Sequence, residues 1–562
     1  MAVISPSLAI VSTFGMLALL GFHINVMMLI APFLVLAIGV DDAFLLIHSW
    51  QRLNKHQEAK TKDVSERLSI VFEEIGPSIM ITSLTNSLAF FVGAVTSPAE
   101  ISLFCATVSL GMAVDFLFEL TFFSAVLVLC DSNSLDSQGQ TTGLLHRTLN
   151  NSDSFLYSYC KFITSNLGRV VAVLIWLGYL FISVQGILQL RPEMQPQTLL
   201  PKDSLLLKTL AIRRTFIWPE YHPISVIVNR PMMGTYDQHY QTLEKLVHDL
   251  ETLPDSFGPE VSQLWIRDYL EFTKMQHALS AWFDFDLDDR TTGATDFELV
   301  PEFLQMPQYK HWKDWIHWEK RNHSTVVKSF VFSTGYRNIT SLGYRAKVML
   351  QWRATVARYP SLNASLWDPD APFSDIILSV RKITTKTLLI TLASMTVVCL
   401  LFVPNMASVL VATGAIASIC TGVIGFLSWW GANLDPITMS DMIMAIGFSV
   451  DYTAHVSYHY YKCYSHCGSN FQRLLATMQS VAWPSLQSGL STVICMGPQA
   501  FSPMPAHMLF VKTVFLVCIW GLLHGLFLVP VLLNSLPNRI TGVQMFCSPK
   551  DKKQDVIQMQ KL

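Results

Sequence analysis

The sequence predicts a polytopic α-helical membrane protein of about ten spans, carrying one α+β ferredoxin-like domain, its membrane bundle a pseudo-twofold repeat. Three observations lead there. Hydrophobic residues make up 51% of the 562-residue chain and charged residues only 14%, against roughly 25% charge in soluble domains. A long polar block, 191–385, interrupts the apolar runs and holds mean hydropathy to +0.37. Several stretches of the front third reappear, in order, in the back third.

A span requires about 20 mostly apolar residues. Ten stretches qualify, near 7–23, 26–48, 78–97, 101–130, 170–190, 387–403, 407–430, 437–460, 481–500 and 506–534. They divide the chain into a four-span membrane repeat (1–130), a cytoplasmic linker (131–169), a single span (170–190), a lumenal or extracellular α+β domain (191–385), a five-span second repeat (386–536) and a cytoplasmic tail (537–562). Arg52, Lys55, Lys60, Lys62 and Arg67 mark the loop from Gln51 to Gly76 as cytoplasmic, and Arg539, Lys550, Lys552 and Lys553 do the same for the tail. "DVSERLSIVFEEIG" in that loop reads as an amphipathic surface helix, with Ser65 and Ile70 flanking its apolar stripe. The start shows no basic region and cleavage site; the expectation is a first span of a chain shortened at its front.

The polar block carries acceptor sequons at Asn322, Asn338 and Asn363, while Asn150 falls in the cytoplasmic linker. None of the ten cysteines lies in the block, so its domain is expected to stand on its core rather than on disulfides. Within it "HPISVIVN" reads as a strand, "YDQHYQTLEKLVHDLETL" as a helix, "TVVKSFVFS" as a strand, "SLGYRAKVMLQWRATVARY" as a helix and "FSDIILSV" as a last strand. That order fits a split βαβ unit. The aromatic stretch "YKHWKDWIHWEK" reads as half-buried helix packing, with a ligand-facing surface as the alternative.

The repeat is visible in short matches. "SPSLAIVSTFG" is answered by "MASVLVATGAIAS", "GPSIMITSLTNS" by "WPSLQSGLSTVI", and "TSPAEISLF" by "FSPMPAHMLF". Pro77-Ser78 thus matches Pro484-Ser485, and Ser97-Pro98 matches Ser502-Pro503. A span and the α+β block precede the second copy, whereas the first copy begins at Met1, so two spans and a domain are expected to be missing ahead of it.

Inside these helices lie the chemistry-bearing residues. Asp41 and Asp42 interrupt "VLAIGVDDAFLLIHSW", and Asp451 interrupts "AIGFSVDYTAHVSYHYY". A charged carboxylate at the centre of a span costs about 2.5–3.5 kcal/mol on insertion scales, so it is kept where it faces protein or water. Ala37 and Gly447 stand one turn before Asp41 and Asp451, small residues that let a neighbouring helix approach. His455 lies one turn beyond Asp451, Asp115 and Glu119 are four apart, and the Ser-Pro register places His524 opposite Glu119. These residues are expected to exchange a proton or hold a cation, because burial disfavours their charged forms. Helix-to-helix hydrogen bonding is the plainer reading, and it suffices for single residues such as His48. Asp441 is expected to line an outer vestibule or the lipid interface. Cys463 and Cys467 lack a second ligand pair, so no metal site is expected; lipidated thiols are the alternative. G-x-S-x-G, H-E-x-x-H, P-loop and dinucleotide motifs are absent, which points away from an enzyme or a cofactor. A net charge of -2 gives no sign of nucleic-acid binding.

"AIGVDDAFLLIHSWQR" followed by "GPSIMITSLTNSLAFFVGA" resembles the sterol-sensing domain of the Patched family, and "GFSVDYTAHVSYHYY" resembles its second-half counterpart. Gly447 and Asp451 match the second G-x-x-x-D motif; Ala37 replaces the glycine of the first. The resemblance is to the Patched-related proteins expanded in nematodes. It implies the resistance-nodulation-division architecture of twelve spans and two outer domains, in plasma or endosomal membranes. It further implies movement of sterol or another lipid, driven by a monovalent cation or proton, with Asp41, Asp42 and Asp451 as the relay. The alternative is a sterol-sensing receptor or scaffold that moves nothing.

Overall fold

The computed structural model describes residues 2–55, 63–134, 155–217, 219–229, 236–282, 297–321, 324–339, 341–403, 405–463 and 470–536. Asn322, Asn150, Cys467 and the tail lie outside them. The chain forms two compact units, one of residues 1–192, 198–201 and 380–562, the other of 193–197 and 202–379.

The first unit is helical. Its front portion holds α1 (Ile4–Leu19), α2 (Ala31–Lys55), α3 (Val64–Thr96), α4 (Ala99–Phe118), α5 (Ser124–Ser134), α6 (155–164) and α7 (Asn166–Gln189). The segment expected as a separate surface helix is the exposed start of α3 instead. Asp63 caps Val64 N–H, and the helix then runs unbroken through Pro77. An interior proline is tolerated where neighbouring helices satisfy the freed backbone groups. Between α4 and α5 one π turn, Glu119–Phe123, widens the helix.

The second unit opens with α8 (Leu205–Ile212) and is built on one sheet. Its strands are β1 (His222–Val228), β2 (Ile316–Arg321), β3 (Ser324–Tyr336) and β4 (Ala364–Trp367), in the order β2-β3-β1-β4 with every pairing antiparallel. Helices α9 (Tyr236–Glu251), α10 (Trp265–Trp282) and the short α11 (Val300–Phe303) separate β1 from β2; α12 (Leu342–Val356) separates β3 from β4. Alternation along β1 turns Ile224, Val226 and Val228 into a core shared with Phe330 and Phe332 of β3, Leu243 and Leu246 of α9, Trp265 and Tyr269 of α10 and Trp352 of α12. Each such side chain contributes about 1.5–3 kcal/mol on full burial. Two local expectations fail here. "YKHWKDWIHWEK" is a 3-10 turn (Lys310–Asp314) followed by β2, whose pairing with β3 supplies the hydrogen bonds a helix would have made. "FSDIILSV" is helical, because it belongs to α13 (Ala371–Phe402), whose apolar run carries the helix onward; the last strand is the preceding "ASLW".

The first unit then resumes with α14 (Met406–Trp429), α15 (Pro436–Lys462), α16 (Asn470–Met496), α17 (Pro505–Leu523) and α18 (Val529–Ser535), with a second π turn at His524–Leu528 between the last two. Asp435 and Thr438 form a reciprocal capping box that starts α15, with Pro436 at its first position. Seven stretches among the described residues are long and apolar enough to cross a membrane: Val26–Asn54, Val64–Thr96, Ile101–Cys130, Asn166–Gln189, Ala371–Phe402, Met406–Trp429 and Pro505–Ser535. The protein is therefore an integral membrane protein. Burial in lipid supplies no hydrophobic drive between helices, so close backbone approach matters. At the α7–α14 crossing a Cβ on Gly186 would run into the Gly425 carbonyl, and one on Gly425 into the Ser183 carbonyl.

Candidate ion-relay site

The two matched halves interlock. Helix α2 packs mainly on α16 of the other half, and α15 packs on α3 of the front half as well as on its neighbour α14. The acids follow the same crossing. Asp41 accepts hydrogen bonds from Ser491 (3.1 Å) and Thr492 (2.9 Å) of α16, while Asp451 accepts two from the Asn86 amide of α3, each at 3.2 Å. Asp42 faces its own half, where Thr82 (3.0 Å) and Ser83 (3.2 Å) donate to it. Gly447 is required here: a Cβ on it would lie 2.8 Å from Asn86 Oδ1, so its bare backbone admits the very side chain that holds Asp451. Ala37 is 1% exposed in the surrounding core.

Asp41, Asp42, Asp451 and His455 line a single cavity of about 20 Å³ together with Ile38, Leu45, Tyr452, Pro484, Ser485 and Ser488. A space of that size takes about one water. His455 Nδ1 is held by the Ser78 hydroxyl of α3. Every hydrogen bond to the three carboxylates comes from a neutral hydroxyl or amide; none of the ion pairs among the described residues includes them. An ionised carboxylate buried among neutral donors alone is costly. Among the described residues no three His, Cys, Asp or Glu side chains cluster as a metal site.

The other expected residues do not line this cavity. Asp115 packs against the Gly39 backbone of α2, so closely that a Cβ there would strike its carboxylate, and Glu119 begins the first π turn. One oxygen of each, Asp115 Oδ1 and Glu119 Oε1, is buried without a partner. His524 begins the second π turn, as the Ser-Pro register implies, but its ring contacts Ser418 (2.9 Å), the Trp520 carbonyl (2.7 Å) and the face of Tyr179 rather than the cavity. Asp441 lines neither a vestibule nor the lipid boundary. It is fully buried with both oxygens unpartnered, since the Thr513 hydroxyl beside it already donates to the Leu509 carbonyl.

The donor set escaped the sequence reading: Thr82, Ser83 and Asn86 on one side, Ser491 and Thr492 on the other. Its signal was present as Ser78, Thr82, Ser83, Thr85 and Asn86, a hydroxyl or amide at almost every turn of an otherwise apolar helix.

Residues 1–129 match the family model described as Patched SSD. Over 95% of its length the chain is 26% identical to Patched-related protein 9 of Caenorhabditis elegans, covering 61% of that protein. It is 20% identical to the NPC1-like intracellular cholesterol transporter 1 of Homo sapiens, over 94% of this chain and 45% of the relative. To the NPC intracellular cholesterol transporter 1 of Sus scrofa it is 22% identical, over 94% of this chain and 46% of the relative. The chain thus spans roughly half the length of the curated relatives it matches. The chain is similar at its front to the Patched sterol-sensing segment and, along nearly its whole length, to Patched-related and NPC1-like membrane proteins.

Proposed function

We propose that this protein moves or redistributes a sterol-like lipid and that a cation passing Asp41, Asp42 and Asp451 drives the movement. The observation that carries the reading is the reciprocal hold on two matched acids: Asp41 is held by α16 and Asp451 by α3, around one small cavity. A change of charge at either acid therefore acts on the interface between the halves rather than within one of them. Relatives named as cholesterol transporters support a sterol as the lipid.

On this reading the chain crosses the membrane ten times. Helices α1, α15 and α16 join the seven apolar stretches, α15 and α16 being less apolar because they carry the polar lining. The loop after α2 faces the cytoplasm of a plasma or endosomal membrane, and the α+β domain lies outside, where the exposed Asn338 and Asn363 would be glycosylated. Its β-α-β-β-α-β order and strand arrangement support a ferredoxin-like unit.

The test is a double Asp41→Asn, Asp42→Asn variant in cells loaded with a fluorescent sterol. Surface expression should match the unmodified protein while sterol redistribution is lost. Undiminished redistribution would sink the coupling. The second reading, a sterol-sensing receptor without net transport, is favoured by the match of residues 1–129 to a sterol-sensing segment. It predicts saturable sterol binding that ignores every ion gradient.

A further inference from the structure

One helix of the α+β unit buries none of its side chains. Ser204 caps α8 by accepting a hydrogen bond from Leu206 N–H (3.3 Å), and the helix continues past Ile212 into one wider turn, Arg213–Ile217. Leu205 is 75% and Phe216 69% exposed, and Leu206, Ile212 and Ile217 are each at least 50% exposed. Leu205 and Ile212, seven residues apart, stand on one face, which Phe216 prolongs. Leu207 and Leu210 on the opposite face are half-buried, and Leu210 borders a cleft with Met194 and Leu342 of the same unit. Elsewhere among the described residues of this unit, the exposed large apolar side chains are spaced more widely. A helix of this length is marginal in water by itself, so the uncovered stripe calls for an occupant.

Three observations point to what covers it. The chain arrives at α8 directly from the membrane unit: residues 198–201 belong to that unit, and Leu199 packs against its apolar core. Leu205 follows Pro201 by four residues, about 14 Å at full extension. The stripe is accompanied by four exposed cations, Lys202, Lys208, Arg213 and Arg214, against a single acid, Asp203. Such a mixture suits a helix lying in the headgroup region, where cations meet phosphates and the apolar face enters the acyl boundary by about 5–10 Å. Finally, the strip is about 20 Å long and 10 Å wide, roughly 200 Å², a quarter of the roughly 800 Å² per partner that a stable protein interface takes. A bilayer requires no matching shape.

We infer that α8 and the turn after it form an interfacial helix, laid on the phospholipid headgroups of the leaflet at which α7 ends. Leu205, Ile212 and Phe216 enter the acyl boundary, Leu206 and Ile217 edge it, and Lys202, Lys208 and Arg213 pair with lipid phosphates. Leu207 and Leu210 stay with the α+β unit. The helix thereby gives that unit a hold on the bilayer besides α7 and α13, which flank it in the chain, and anionic lipid strengthens the hold. The inference stands on α7 as a span and is independent of what the protein moves.

The test uses the full chain in phosphatidylcholine vesicles with and without phosphatidylserine. Each preparation holds a phosphatidylcholine with a diazirine near the glycerol end of one acyl chain, and light-induced adducts are mapped by mass spectrometry. Adducts should fall on 205–217 as well as on α7, and phosphatidylserine should raise those on 205–217 alone. Ile212→Asp with Phe216→Asp should cut them about tenfold, and Lys202→Glu with Lys208→Glu about fivefold in the phosphatidylserine vesicles. In both variants the adducts on α7 and the thermal transition of the α+β domain should stay as in the unmodified protein. Adducts on α7 with none on 205–217 overturn the inference. Undiminished adducts in both variants overturn it as well, since they would mean nearness without docking. Protection of 205–217 from both the diazirine lipid and hydroxyl radicals in water assigns the stripe to a protein, a second copy if the protection falls on dilution into more vesicles, and also overturns it.

Discussion

The two units bury acids in opposite ways. In the α+β domain, Arg345 is 1% exposed and reaches two carboxylates at once: Asp368, with Nε at 2.9 Å, and Asp370. Asp368, also 1% exposed, is therefore neutralised by a fixed cation on α12. Asp41, Asp42 and Asp451 are met only by hydroxyls and an amide. An arginine fork fixes charge permanently, because guanidinium keeps its proton at any accessible pH. Neutral donors leave the charge of the acid free to change. The first arrangement is what a stable domain needs; the second is what the proposed relay requires.

Three measurements would break or sharpen that contrast. The largest effect is expected from Arg345→Met, which strands two acids: the domain should lose about 3–5 kcal/mol, read as an earlier thermal transition or faster proteolysis between 202 and 379. Asp451→Asn should leave thermal stability nearly unchanged while stopping flux. Equal losses in the two variants would erase the distinction.

Next comes His222, which begins β1 at 1% exposure. Burial, with Arg345 and Arg213 close by, pushes its imidazole down to about 3 from the ordinary 6.5. Between those values the unfolded chain binds a proton that the folded domain refuses, so stability rises with pH. The contribution is complete above pH 6.5 and is lost as pH falls toward 3. His222→Asn should flatten that part of a stability curve followed by domain proteolysis, and a curve of unchanged slope would count against the buried neutral ring. The smallest effect belongs to Asp441, both of whose carboxylate oxygens are buried without a partner. Asp441→Leu should stabilise the fold by about 1 kcal/mol, read as a modestly higher melting temperature, whereas destabilisation would mean that the carboxylate has a partner in the membrane.

Much of the membrane unit was legible because its period and its anomalies are both strong. Ser97-Pro98 and Ser502-Pro503 set a register that puts Glu119 and His524 at the same point of the two copies, where both begin a π turn. Asp41, Asp42, Asp451 and His455 came together because acids in apolar helices have few places to go. His524 did not join them, since a register fixes position along a helix but not which neighbour a side chain meets. The donors Asn86 and Thr492 were hidden for a related reason. Ser, Thr and Asn can bond their own helix, so only the crossing partner reveals which of them reach outward. In the α+β domain, "FSDIILSV" was read as a strand from its β-branched residues, whereas the long helix it feeds decided its backbone; local propensity is a weak prior against such continuity.

The two π turns give the membrane halves a common mechanical property. Each holds one residue more than the surrounding helix needs, so the far side of the helix is out of phase by about 100°. Such a surplus is conserved like a ruck in a carpet: it moves along the helix by exchanging one hydrogen bond for its neighbour, without the number of bonds changing. Both helices carry it at the same height, at Glu119 and at His524. A one-residue advance in either would turn the side chains it passes through a quarter circle while the ends of the helix stay in place.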